Sequence, residues 1–70
     1  MKISLQKKVG KRIQQIRIEK NLSQQDLAAL CNFEKSNMSR LENGNANATL
    51  STLEKVCDAL KVDYIELFKF

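Results

Sequence analysis

Apolar residues return every three or four positions along most of this 70-residue chain, and the interruptions divide it into five segments. Leu5, Val9, Ile13 and Ile16 fall on one stripe, which predicts a first helix over about Leu5–Lys20 with Lys7, Lys8, Lys11 and Arg12 exposed. Gly10 interrupts that helix and is read as a point of close packing, because nothing chemical requires it. Ser23, with Asp26 three residues on, is a near capping box for a second helix whose buried face is Leu27, Ala28, Leu30 and Cys31. Asn32 stands where the chain must reverse, and Asn tolerates a left-handed backbone. From Lys35 to Asn43 only Met38 and Leu41 are apolar, so a third helix would pack those two and leave Lys35, Ser36, Ser39, Arg40 and Asn43 on the opposite arc, flanked by Asn37.

The Asn45–Ala48 stretch is rich in turn formers and reads as a loop. A fourth helix follows, capped by Thr49 or by Ser51 with Glu54 as a capping box, and carries the stripe Leu50, Leu53, Val56, Cys57 and Leu60. A short fifth helix is expected after Asp63, whose carboxylate would cap it, with Tyr64, Ile65, Leu67, Phe68 and Phe70. That segment is apolar on too many sides for a terminal helix on a small monomer. Either Ile65 and Phe68 close the domain's own core, or Leu67, Phe70 and their neighbours meet a second copy across a two-fold axis.

Seventy residues fit one domain, residues 1–70, and a domain this small buries only about 60% of the surface its unfolded chain exposes. With no further domain expected, occupancy of any target would follow protein concentration. No apolar run approaches the ~20 residues of a membrane span, and the N-terminus lacks the apolar region of a signal peptide, so a cytoplasmic location is expected. Cys31 and Cys57 both occupy apolar helix positions and read as buried small hydrophobes. With no His in the chain, the usual zinc arrangements cannot be assembled, and no metal, cofactor or small-molecule ligand is indicated. The absence of His, of a Gly-rich phosphate loop and of paired carboxylates argues against an enzyme. Net charge is +4, but residues 1–20 hold seven Lys or Arg against one Glu, a balance of +6, while residues 21–70 hold five against seven acids, a balance of −2. Such a basic field suits a polyanion, although an acidic membrane surface would suit it equally.

The stretch from Gln24 to Gly44 resembles the helix-turn-helix of the Cro and lambda-repressor type, the xenobiotic-response-element family of bacterial and phage regulators. The resemblance lies in Ser23-Gln24, Leu27-Ala28, the apolar Met38 and Leu41, and above all Ser39-Arg40-Leu41-Glu42-Asn43-Gly44. The flanks agree, with Ile13, Ile16 and Arg17 ahead, Leu50-Ser51-Thr52-Leu53 and Leu60-Lys61-Val62 behind, so it covers about Val9 to Phe68. It implies an all-α, five-helix lambda-repressor-like domain with the helix-turn-helix at helices 2 and 3. It also implies a regulator of transcription that binds double-stranded DNA as a homodimer on a palindromic operator, like small phage repressors and restriction-modification controller proteins. The dimer contact implied is C-terminal, over Ile65, Leu67, Phe68 and Phe70.

In such docking the N-terminal end of the second helix of the pair enters the major groove, so Lys35, Ser36, Asn37 and Arg40 are the candidates for reading bases. Arg40 has the donor geometry for guanine O6 and N7. Gln24, at a helix N-terminus, and Asn43 are phosphate candidates. The resemblance further implies a structural ion pair between Arg17 and Glu42, with spare donors of Arg17 available to a phosphate. Glu34 replaces a usual Ser or Thr cap, Asn45 and Asn47 stand where Lys or Arg is frequent, and Lys61 stands where Gly is frequent; these departures imply modest affinity per subunit. The competing reading is an antitoxin or another protein-interaction module that uses the same fold and binds its partner through the apolar C-terminus.

Overall fold

The computed structural model describes residues 3–70, and among them are four α-helices and no strand: α1 (Leu5–Glu19), α2 (Gln24–Cys31), α3 (Lys35–Glu42) and α4 (Leu50–Leu60). The chain closes with a 3-10 turn, Tyr64–Phe68, in place of the expected fifth α-helix. Five residues leave little room for the i to i+4 hydrogen bonds of an α-helix, and the Asp63 carboxylate makes no capping bond to the turn.

Local chemistry sets the other boundaries. Ser4 accepts from the Lys7 amide at 3.2 Å and starts α1. At α2 the capping box is complete, with the Asp26 amide donating to Ser23 Oγ and the Ser23 amide to Asp26 Oδ2, both at 3.0 Å. Thr49 caps α4 by accepting from the Thr52 amide at 3.1 Å, which sets the cap two residues earlier than Ser51. Asn32 ends α2 and Lys61 ends α4, each with φ 58° in the left-handed region, a conformation that Asn tolerates and that Lys adopts at a cost glycine would avoid.

Each helix contributes to one core, whose deepest side chains are Ile13, Leu27, Met38, Val56, Leu60 and Leu67. Three residues assigned to buried stripes lie outside it: Leu5 is 59% exposed, Leu30 61% and Leu50 85%. Leu5 and Leu50 occupy the first positions of their helices, where no preceding helical turn lies beneath them. Leu30 lies 60° beyond Leu27, outside the sector from Leu27 through Cys31 to Ala28 that α2 buries. Cys31 and Cys57 are buried free thiols, and burial pushes both up from the usual range.

Arg12, expected to be solvated, is half-buried instead. Its Nε donates to the Glu66 carbonyl at 2.7 Å and its Nη2 to Glu66 Oε1 at 3.3 Å, pinning the closing turn to α1. Lys69 Nζ donates to the other Glu66 oxygen at 2.6 Å. The Lys69 hydrogen bond, helped by both cations, holds the Glu66 carboxyl below its ordinary range, and the Ser23 amide does the same for Asp26. A carboxylate with a depressed folded pKa adds stability above its unfolded pKa of about 4.3, and that contribution is lost as pH falls through the folded value. A urea titration should therefore place the midpoint of Glu66→Gln below that of the parent chain at pH 7, with the gap closing in acid. A gap that persists or widens in acid contradicts the assignment.

Candidate nucleic-acid interface

α2 and α3 are joined by a turn of three residues, Asn32 to Glu34, so the two helices pack against each other directly. Met38, fully buried, and Leu41 seat α3 on the core. Ser36, Arg40 and Asn43 then point away from it, and Asn37 is exposed to one side. Lys35 is exposed too, but it leaves the helix 60° from Met38, at the edge of the arc and not opposite the packed face. Glu34 sits at the start of α3 without a side-chain capping bond. Arg40 and Asn37 border a shallow cleft of about 320 Å³ floored by Phe33, Leu41, Ala48 and Thr52. Of the four exposed candidate base-reading residues, Ser36, Arg40 and Asn37 thus share one face of the helix, and Lys35 stands at its margin.

What holds that surface is beneath it. Arg17 of α1 meets Glu42 of α3 as a two-pronged ion pair, Nε to Oε2 at 2.7 Å and Nη2 to Oε1 at 3.1 Å, with the residues only 8% and 5% exposed. The third guanidinium nitrogen, Nη1, donates to the Leu22 carbonyl at 2.7 Å. Gln24 Nε2 donates to Glu42 Oε1 at 2.9 Å. Two charges that would be costly alone are therefore fully hydrogen-bonded, and one carboxylate ties α1, α2 and α3 together. Arg17 is buried, with each of its three nitrogens donating one bond inward, a placement that supports the structural role read for it and lends no support to a phosphate contact. Gln24 turns its amide nitrogen inward as part of the same network, which the sequence did not reveal; what α2 offers outward is its N-terminal backbone amides.

α1 and α3 come unusually close at Gly10. A Cβ built there would stand 2.6 Å from the Glu42 carbonyl oxygen and closer still to that of Leu41, so no other residue fits without moving backbone. This bears out the packing role read for Gly10. Asn43 is exposed at the end of α3, and Gly44 follows with φ 76°.

The C-terminal residues separate into two groups. Leu67 is 1% exposed and fills the chain's own core, so it is not available to a second copy; Ile65, Phe68 and Phe70 are 65%, 45% and 62% exposed. A 3-10 turn repeats every three residues, so the inward position falls on Leu67 and leaves Ile65 and Phe68 outside. Exposed Leu50 and Tyr64 extend the same apolar face, over a groove of about 440 Å³ that also takes in Leu53 and Phe68. Leu50 was missed because its place on the α4 stripe suggested burial.

A helix pair with a buried orienting ion pair and a polar, partly basic exposed face defines a helix-turn-helix DNA-binding domain. The chain belongs to the family described as the Cro/C1-type helix-turn-helix DNA-binding domain, which matches residues 12–70. It is 35% identical over 65 residues to the HTH-type transcriptional regulator y4dJ of Sinorhizobium fredii, covering 93% of this chain and 84% of that one. To the control protein C.BamHI of Bacillus amyloliquefaciens it is 37% identical over 62 residues, 87% and 76% of the two chains. Its fold superposes on the restriction-modification controller protein C.AhdI from Aeromonas hydrophila with a TM-score of 0.86 and 35% identity, covering 89% of this chain and 94% of that one. The family is one of DNA binding and not of catalysis. Among the described residues no helix is long and apolar enough to cross a membrane.

Proposed function

We propose that the chain is a sequence-specific transcription regulator of the controller type that binds a palindromic operator as a homodimer, with α3 in the major groove of each half-site. The observation that carries this reading is the exposed polar face of α3, held from below by the Arg17–Glu42–Gln24 network. Arg40 and Lys35 are the cations on that helix, and Ser36 and Asn37 supply shorter donors and acceptors. Bases are specified by such side chains, whereas the α2 N-terminus at Gln24 and the amide of Asn43 hold the backbone. Dimerisation is assigned to the face of Ile65, Phe68 and Phe70, with Leu50 and Tyr64 added and Leu67 removed. Seven exposed large apolar residues around the start of α1, the start of α4 and the closing turn are more than a small monomer leaves to solvent.

Arg40→Ala should reduce discrimination between the operator and a random duplex by about 1–3 kcal/mol, measured as the ratio of the two binding constants at fixed salt. Equal loss on both duplexes would remove Arg40 from base reading. For the dimer, sedimentation equilibrium at micromolar concentration should show a two-chain species that Leu50→Ser/Phe70→Ser converts to one chain. A monomer that is unchanged by the substitutions would leave the apolar face to a different protein, and would favour the interaction-module reading.

A further inference from the structure

The first turns of α1 carry more positive charge than the fold uses. Lys7, Lys8 and Lys11 are all exposed, and none is in an ion pair among the described residues, whereas Arg12 beside them is paired with Glu66. Lys7 and Lys11 stand one turn apart and repel each other, and the first turn of α1 holds no acid. Cations there also oppose the positive end of the helix dipole. The isolated domain gains nothing from this arrangement, and a bound polyanion would relieve it.

Position identifies the polyanion. The backbone and Cγ of Lys7 lie directly against Gly44, the residue that turns the chain out of α3. Next to it Gln6 Nε2 donates to Asn47 Oδ1 in the loop that follows. The start of α1 is therefore fixed beside the end of the recognition helix. The segment from Asn43 to Ala48 contains no cation of its own, so charge on that side of the helix comes from α1. Around the helix Lys7 is 60°, Lys11 100° and Lys8 160° from Gly10, which abuts α3, so Lys7 and Lys11 are the two nearer to the recognition helix; Lys8 stands farthest from it, with its Nζ 5.5 Å from the Phe70 ring centre.

We propose that Lys7 and Lys11 bind DNA backbone phosphates outside the bases read by α3, lengthening the footprint of each subunit. This rests on the DNA-reading role of α3. Each phosphate neutralised contributes about 0.9 to the slope of log binding constant against log salt. Lys7→Gln/Lys11→Gln should lower that slope by about 1.8 for each bound subunit, about 3.6 for the dimer, so that raising salt from about 50 to about 200 mM costs about a hundredfold less affinity than in the parent chain. The reduction should be equal on operator and random duplexes, should be absent in Lys7→Arg/Lys11→Arg, and should disappear when the duplex is trimmed to the bases facing α3. Lys61→Gln, which removes one exposed charge at the end of α4, should leave the slope unchanged, while Lys7→Gln alone lowers it. An unchanged slope in the double variant overturns the proposal, as does an equal effect from Lys61→Gln, which would mark net charge alone. Retention on phosphatidylserine vesicles with an unchanged duplex slope would assign the lysines to a membrane surface instead. Failure of the parent chain to bind any duplex would sink the α3 reading, whereas binding with a slope indifferent to Lys7 and Lys11 sinks only this inference.

Discussion

Replacing Glu42 with alanine will cost about 3–5 kcal/mol of folding stability, the range for leaving a buried charge without its partner. Seventy residues correspond to a total stability of only about 4–10 kcal/mol, so the variant will be largely unfolded or close to it at 25 °C. The size of the effect follows from what Glu42 does: it accepts from Arg17 Nε, Arg17 Nη2 and Gln24 Nε2, and all three donors lose their acceptor together. Replacing both charges with apolar residues, Arg17→Met/Glu42→Leu, should restore most of the loss, because buried ion pairs and apolar isosteres are often of similar worth. Urea denaturation of the parent, single and double variants measures this directly. Equal instability of the single and double variants would mean that the network matters through its specific hydrogen bonds and not through the orphaned charge.

Gly10→Ala is expected to destabilise by about 3 kcal/mol, the upper end of the usual cost of overpacking, since the atoms in the way are backbone carbonyl oxygens and not flexible side-chain ends. The sign is the informative part. Within a helix free of neighbours, alanine is better than glycine by about 1 kcal/mol, so a Gly10 without a packing role would give a more stable variant. Separation of α1 from α3 would also pull Arg17 from Glu42, so weaker DNA binding should accompany the loss of stability. A thermal or urea midpoint above that of the parent would contradict the close approach of the two helices.

The helix-turn-helix was legible because it is specified locally. Ser23 and Asp26 cap each other, Asn32 takes the left-handed position, and Met38 with Leu41 fixes which side of α3 is hidden. Those signals need no knowledge of the rest of the fold. The exposed arc of α3 followed from the same two residues. What sequence could not resolve is which apolar residues at the ends of stripes have something to pack against. Leu5, Leu30 and Leu50 satisfy the helical period yet stay largely exposed, while Leu67 is buried from a five-residue segment too short to display a period. Long-range polar contacts were equally hidden: Arg12 reaches Glu66 across 54 positions, and Gln24 joins an ion pair whose members lie on other helices. The resemblance supplied the Arg17–Glu42 pair, but only geometry shows how deeply it is buried and that the Leu22 carbonyl and Gln24 join it.

The account rests on α3 being a reader of DNA sequence in a two-fold arrangement, and selection of bound sequences from a random duplex pool tests that most directly. It predicts enrichment of an inverted repeat whose half-sites lie one helical turn, ~34 Å, apart on one face of the duplex, and loss of one conserved base pair per half-site when Arg40→Ala is selected in parallel. A pool that shows no enrichment over the starting sequences, or the same enriched repeat for Arg40→Ala, would contradict it.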